Sequence, residues 1–384
     1  MKKILALLWI FALCLGLLLY SIFDTVPPTP EPVDGSVSVT TKQGNTLPEP
    51  PEVPAVQVRV EMPDPDKKEV WEQIAAEYTE ATGVEVLLLD NTMALCPTLY
   101  TVSDGEEQQY PPCQDLSGTV AYAQLADMGL TLSAEGKVVG IAAEVECFGL
   151  IYNTDLLIAA GYTPSDIYDA ASFSTVVQGI GQQGYTAFAG RGLDDGVASR
   201  LASIPGNIHT LAQLWVEHSS KETEEKALER FMAGESVFYL GSTAEYETII
   251  AGGVKNLGIL PIFLDEPRQQ MQSLCVTAAR YWCISSEDAQ EVAAAKEFLD
   301  YLVTANADGV APVDRLEMLA PYRQATYYSN PLEAVLRQDL NAGKGYLVCP
   351  VMEEPPAGFV DALIAFAQDP SDENWEKVQN ILTE

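Results

Sequence analysis

Glu135-Gly-Lys-Val-Val-Gly-Ile-Ala-Ala-Glu-Val-Glu-Cys-Phe-Gly-Leu-Ile-Tyr-Asn-Thr-Asp-Leu-Leu157 is the stretch whose reading decides the fold. Residues 137–142 and 147–152 are two apolar runs of strand length, and the segment between them holds Glu144 and Glu146. Upstream, residues 56–60 alternate as a strand does. A Pro-Asp-Pro-Asp loop then leads into residues 67–82, where Val70, Trp71, Ile74, Ala75 and Tyr78 recur at helical spacing. Gly83 stands where a helix C-cap belongs, and residues 84–89 form a further short apolar run. Strand, helix and strand in that order and length predict a βαβ unit on a mostly parallel sheet.

Downstream, the pattern predicts helices over 174–183, 209–218 and 222–232, strands over 237–240 and 257–262, and a periodic amphipathic helix over 289–304. From Asn330 on, the chain is mainly helical with a proline-containing break at 350–356. No internal repeat is present.

The chain has 384 residues, too many for one ordinary core, so two lobes are expected once leader and linker are set aside. Fifty-five acidic against 21 basic residues give a formal charge of −34, which repels nucleic acid and anionic lipid alike. Lys2 and Lys3 precede an uncharged apolar run from Ile4 to Phe23, long enough to cross a bilayer as a helix with its N-terminus in the cytoplasm. Leu19-Tyr20-Ser21 is a poor cleavage site, and Cys14 lacks a small residue before it, so residues 1–23 are expected to stay as a signal-anchor helix. Residues 24–56, with prolines at 27, 28, 30, 32, 48, 50, 51 and 54, have little to bury and form an extended linker outside the membrane. Beyond the leader lie Cys96, Cys113, Cys147, Cys275, Cys283 and Cys349, in a compartment that permits disulfides. Six cysteines allow fifteen full pairings. Cys96 and Cys113 bracket one polar loop, and their pairing is the expectation.

The segment 135–157 resembles the first crossover between lobes in the extracellular solute-binding proteins of ABC sugar importers, the maltose-binding-protein-like family. Trp71–Val86, Phe231–Gly241, Leu257–Pro261 and Ala295–Leu302 carry the same resemblance in the same order, so that it covers roughly residues 57 to 384. The resemblance implies an α/β, two-lobed periplasmic-binding-protein-like fold of type II, closing on its ligand by a hinge. It places a first lobe at 57–144 and 284–325 and a second at 146–280 and 326–384. It also implies a monomer that captures a small molecule, most simply a sugar, and hands it to permease subunits, with no cofactor, metal or catalytic residue.

By position in the family pattern, Asp66, Lys67, Asp104 and Glu146 fall where relatives grip the ligand, and Tyr246, Trp282 and Phe359 are the aromatics nearest the cleft segments. Thr101 and Ala244 stand where maltose-type relatives have stacking tryptophans, which argues against a maltodextrin. The same fold also serves ligand sensors, adhesion modules and binders of other solutes, and those readings stay open.

Other chemistries fare worse. His209 and His218 are the only histidines, and neither a Gly-x-Ser-x-Gly nor a His-Glu-x-x-His motif occurs. Glu144 and Glu146, roughly 6.5–7 Å apart on one strand face, have the spacing of an inverting glycosidase pair but not its opposed placement across a scissile bond. Tyr327-Tyr328 is similar to the tyrosine ligands of iron-binding relatives, yet it is expected in a connecting segment rather than a cleft loop.

Overall fold

In the computed structural model, the described residues are 56–89, 95–103, 110, 113–125, 127, 129–188, 195–204, 206–218, 227–265, 274–342, 347–349 and 354–383. Strand β1 (Gln57–Glu61) and β2 (Glu85–Leu89) pair in parallel, Val58 opposite Val86. The helix Lys68–Thr82 connects them. Its buried stripe is Trp71, Ile74, Ala75 and Tyr78, four of the five positions that the periodicity picks out. The helix ends at Gly83, whose left-handed φ of 76° lets its N–H reach the carbonyl of Thr79.

Strands β3 (Leu99–Ser103), β4 (Thr131–Ala134), β5 (Lys137–Asn153), β6 (Phe238–Ser242), β7 (Leu257–Leu260), β8 (Cys275–Ile284) and β9 (Leu347–Val348) complete a nine-stranded sheet. Its main path runs β2-β1-β3-β8-β5-β4, with β6 and β7 on β5 and β9 on β8. The two runs at 137–142 and 147–152 are therefore a single strand of 17 residues. At a rise of ~3.3 Å per residue such a strand reaches ~55 Å. The break suggested by the two glutamates is a register shift against β8 on either side of Glu144, so the strand bends there without ending. Glu135 and Gly136, both at positive φ, make the tight turn from β4 into β5.

The two ends of β5 serve different cores. Its first part, with β1, β3 and the end of β8, carries a cluster of Val58, Val60, Trp71, Ile74, Ile141 and Trp282 under the helices Lys68–Thr82 and Ala289–Val303. Its last part, with β6 and β7, belongs to a larger cluster in which Phe173 meets Phe188, Phe238 and Phe263 at centroid distances of 6.2, 5.4 and 5.3 Å. Burying each such ring stabilises the fold by about 1.5–3 kcal/mol. The helices Phe359–Gln368 and Asp372–Thr383 cover this second cluster, and His209 lies edge-on between Phe366 and Trp375, 5.0 Å from each.

The expected helices over 174–183, 209–218 and 289–304 are Ala170–Gln182, His209–His218 and Ala289–Val303. That over 222–232 is described only as Ala227–Met232. The second half of the molecule also holds a closed polar knot. Arg200 donates to Tyr239 Oη (2.9 Å) and pairs with Glu245 Oε2 (3.0 Å), Tyr239 donates to Glu245 Oε1 (2.8 Å), and the Ser242 N–H donates to Glu245 Oε2 (2.7 Å).

Candidate functional site

A cavity of about 230 Å³ lies where β1 ends, β5 bends and the chain passes residues 316–327. Pro63, Asp64, Lys67, Glu144, Arg280, Glu317 and Tyr327 line it, with Trp71, Leu316 and Met318 as its apolar wall. Each side chain has a traceable reason to be there. Proline cannot donate and fixes its own φ, so the chain turns sharply out of β1. Asp64 then caps the short turn Pro65–Lys67 by accepting from the Asp66 N–H (2.9 Å), which sets Lys67 facing the cavity.

Lys67 pairs with Glu317. Glu317 occupies the left-handed region at φ 58°, a conformation that costs a residue with a side chain on the order of 1 kcal/mol or more. Hydrogen bonding to Glu317 raises the Lys67 pKa, with burial opposing, so the ammonium stays charged throughout the working range. A strained carboxylate aimed at a lysine on a cavity wall is the kind of local departure that binding sites retain.

Glu144 and Arg280 face each other across the β5–β8 pair at the bend. Arg280 donates to the Pro63 carbonyl (3.1 Å), tying β8 at the bend to the turn after β1. Burial pushes the Glu144 carboxyl above the usual carboxylate range, Arg280 opposes the shift, and the charges of Glu146, Glu333 and Asp64 add to it. Tyr327 is held from both sides of its backbone. Its N–H donates to Asp314 Oδ1 (2.9 Å) and its carbonyl accepts from Arg337 Nε (3.1 Å), while Asp314 and Arg337 are themselves buried. Burial, then the charges of Glu317 and Glu333, raise the Tyr327 pKa, so its hydroxyl remains a donor.

Of the residues expected from the sequence, the structure brings Lys67 onto the cavity wall and places Glu146 two residues beyond Glu144, accepting from Ser242 Oγ (3.0 Å). The half-buried Tyr246 opens the helix Tyr246–Ala251, just after the turn that Ser242 caps. Asp66 is exposed, and Asp64, two residues earlier, is the acid that faces the cavity. Asp104 lies outside the described residues. Trp282 is fully buried behind Trp71, edge-to-face at 6.2 Å, and Phe359 is fully buried in the second cluster, so both are core. No disulfide joins Cys96 to Cys113 in the structure, where Cys96 is exposed and Cys113 half-buried.

The sequence reading missed Asp64, Arg280, Glu317 and Tyr327, and weighed Glu144 only as a hydrolytic group. Tyr327 was visible in its pair with Tyr328, but a connecting segment was not expected to wall a cavity. The other three offered no local signal, because the backbone bend, the register shift and the positive φ that aim them are tertiary. Among the described residues, no group of three His, Cys, Asp or Glu side chains is placed to hold a metal ion.

The family model for bacterial extracellular solute-binding proteins matches residues 55–324. The chain belongs to that family. It is a family of receptors rather than enzymes, and its members work outside the cytoplasm. Among curated proteins none matches the sequence. Among solved structures, apo RafE from Streptococcus pneumoniae superposes with a TM-score of 0.60 at 12% identity, covering 87% of this chain and 98% of that one. The bacterial solute receptor AcbH gives 0.61 at 13%, covering 85% and 96%. The cyclic α-maltosyl-1,6-maltose binding protein of Arthrobacter globiformis gives 0.57 at 14%, covering 86% and 97%. At such identities the likeness is one of fold, and it places this solute-binding protein in the two-lobed type II architecture. The cavity lies beside the bend of β5 and the adjoining part of β8.

Proposed function

We propose that this solute-binding protein captures a sugar at the crossover and delivers it to the permease subunits of an ABC importer. The observation that carries the reading is the convergence of Lys67, Glu317, Glu144, Arg280 and Tyr327 on one cavity beside the β5 bend. Hydroxyl-rich ligands need donors and acceptors fixed in advance, and an aromatic face for the apolar side of the ring. Charged pairs supply both kinds of hydrogen bond, and Tyr327 supplies the ring. AcbH is described as preferring β-D-galactopyranose and the Arthrobacter protein as binding a cyclic maltosyl-maltose, which supports a carbohydrate over an amino acid or polyamine.

In this reading, residues 57–144 and 284–325 make one lobe and 146–280 and 326–384 the other, each built mainly on one of the two hydrophobic clusters. A ligand that touches Lys67 on one side and Glu146 with the Ser242 turn on the other favours closure by its contacts to both. Residues 1–23 anchor the protein at the outer face of the plasma membrane and 24–56 space it from the surface. It acts as a monomer.

A thermal-shift screen against mono- and oligosaccharides, amino acids and polyamines tests the ligand class, because a ligand that binds only the folded state raises the melting temperature. A carbohydrate giving a saturable shift is the expected result, and a shift from amino acids alone overturns it. Mass spectrometry of protein taken from the native membrane should find a peptide from the leader, whereas a mature N-terminus near Ile22 removes the anchor.

A further inference from the structure

Cys113 sits just beyond the polar loop that follows β3, in an isolated antiparallel bridge with Ser285. Cys283 is two residues before Ser285, which continues β8 by one residue as a bridge, and alternate residues of extended chain share a face, so both cysteines rise on one side of the sheet. Tyr100, the cross-strand partner of Cys283, brings its hydroxyl to 3.3 Å from Cys113 Sγ. The Cys283 sulfur packs over Gly140, beside the Leu132 side chain. Both cysteines therefore lie against Tyr100, Cys283 as its cross-strand partner and Cys113 within reach of its hydroxyl.

We propose that Cys113 and Cys283 form a disulfide in the exported protein, Cys113 being the attacking thiol and Cys283 the resolving one. The two are unlike in the way that such a pair requires. Cys113 is half-buried and open to an incoming reagent, while Cys283 is fully buried. Hydrogen bonds from the Cys283 thiol and from Tyr100 lower the Cys113 pKa against the effect of its burial, and the thiolate is the reactive form. The oxidant is a protein or small-molecule disulfide of the extracytoplasmic space. The Cys113 thiolate attacks one of its sulfurs, giving a mixed disulfide and releasing the first donor thiolate. Cys283, deprotonated, then attacks Cys113 Sγ and expels the second. Two protein thiols and one donor disulfide become one protein disulfide and two donor thiols, so two electrons and two protons pass to the donor.

Cys275 and Cys349 are also neighbours, the Cys349 N–H donating to the carbonyl of Val276 (2.8 Å), but both are buried, so no incoming disulfide reaches them in the folded protein. They make an internal control. The alternative partner of Cys113 is the exposed Cys96, which precedes β3 in the chain while Cys113 follows it.

Exported full-length protein, alkylated under denaturing conditions without reductant and then digested, decides the matter by mass spectrometry. The expected result is one peptide pair joining Cys113 to Cys283, two hydrogens lighter than the sum of the reduced peptides, with Cys96 alkylated. A Cys96–Cys113 link, or full alkylation of Cys113 and Cys283, overturns the proposal. Reductant should lower the melting temperature of the wild type by about 5 °C or more, because the link closes a long loop. Cys96→Ser should keep that response and Cys113→Ser should lose it. If Cys113→Ser does not accumulate, peptide mapping of the wild type still gives the answer.

Discussion

Arg200, Glu245 and Tyr239 close on one another through two hydrogen bonds and an ion pair, whereas Arg280, Glu144 and Tyr327 stand around a cavity. The residue types are the same in the two clusters and their surroundings differ. In the first, every charge is neutralised by a neighbour already in place, which fixes the turn after β6 but offers a ligand nothing. In the second, Arg280 donates to a backbone carbonyl, burial raises the Glu144 carboxyl above its usual range, and the Lys67–Glu317 pair leans on a backbone conformation that a carboxylate side chain does not favour. Such groups gain by meeting a partner. Composition alone therefore says nothing of function, and the state of satisfaction of each donor and acceptor does.

Removing Arg200 gives the largest effect and strikes only the closed cluster. Arg200→Ala leaves Glu245 and Tyr239 without their shared donor, so urea unfolding should show a loss of roughly 2–3 kcal/mol, discounted from the cost of a fully buried pair because the site is partly exposed. Affinity for the ligand should not move. A binding loss without a stability loss would erase the distinction between the two clusters.

Lys67→Ala is the mirror experiment. Calorimetry should find affinity down ten- to a hundredfold, the usual worth of a charged hydrogen bond, while the melting temperature barely changes because the pair is near the surface. Glu146→Gln keeps size and one acceptor, and should weaken binding about tenfold. Unchanged affinity in both would leave the cavity without a role in capture.

Glu144→Gln sharpens the contrast through pH. The Glu144 carboxyl binds its proton more tightly in the folded than in the unfolded state, so its contribution is fully present below the unfolded carboxylate pKa and is lost as pH rises through the raised folded value. At pH 7 the buried charge costs stability. The glutamine variant should therefore melt about 2 °C higher than wild type at pH 7, with the difference shrinking as pH falls into the carboxylate range. A difference independent of pH would show that Glu144 is not strained by its burial. The smallest effect belongs to Glu317→Gly, where relief of the left-handed backbone should stabilise by less than about 1 kcal/mol in chemical unfolding while affinity falls.

Much of this architecture was legible residue by residue. The stripe Trp71, Ile74, Ala75 and Tyr78 with Gly83 behind it announced its helix, because local periodicity and capping chemistry suffice for such an element. His209–His218 was equally plain. The continuity of β5 was not, since a pair of glutamates in mid-strand looks like a loop until β8 lies alongside and absorbs the offset as a bulge. Lys67 was singled out through the family pattern, which records position, and it lies on the cavity wall. Asp64, Arg280 and Glu317 escaped because their aim depends on a turn, a register and a φ angle that no short window contains. Trp282 and Phe359 misled for the converse reason: aromatic identity is shared by core and binding surface, and only burial separates them.

The place of β8 in the sheet has a consequence for how the chain assembles. It is the strand that joins β3 to β5, yet it is made more than a hundred residues after either. As the polypeptide emerges from the export machinery, β5 can find β4, β6 and β7 early, whereas β1, β2 and β3 must wait with an open edge until β8 arrives. Long-range pairing of this kind is slow, and unpaired edges are where chains aggregate. The half of the molecule synthesised first is thus the half that folds last, and slowing substitutions should concentrate along the seam that β8 makes.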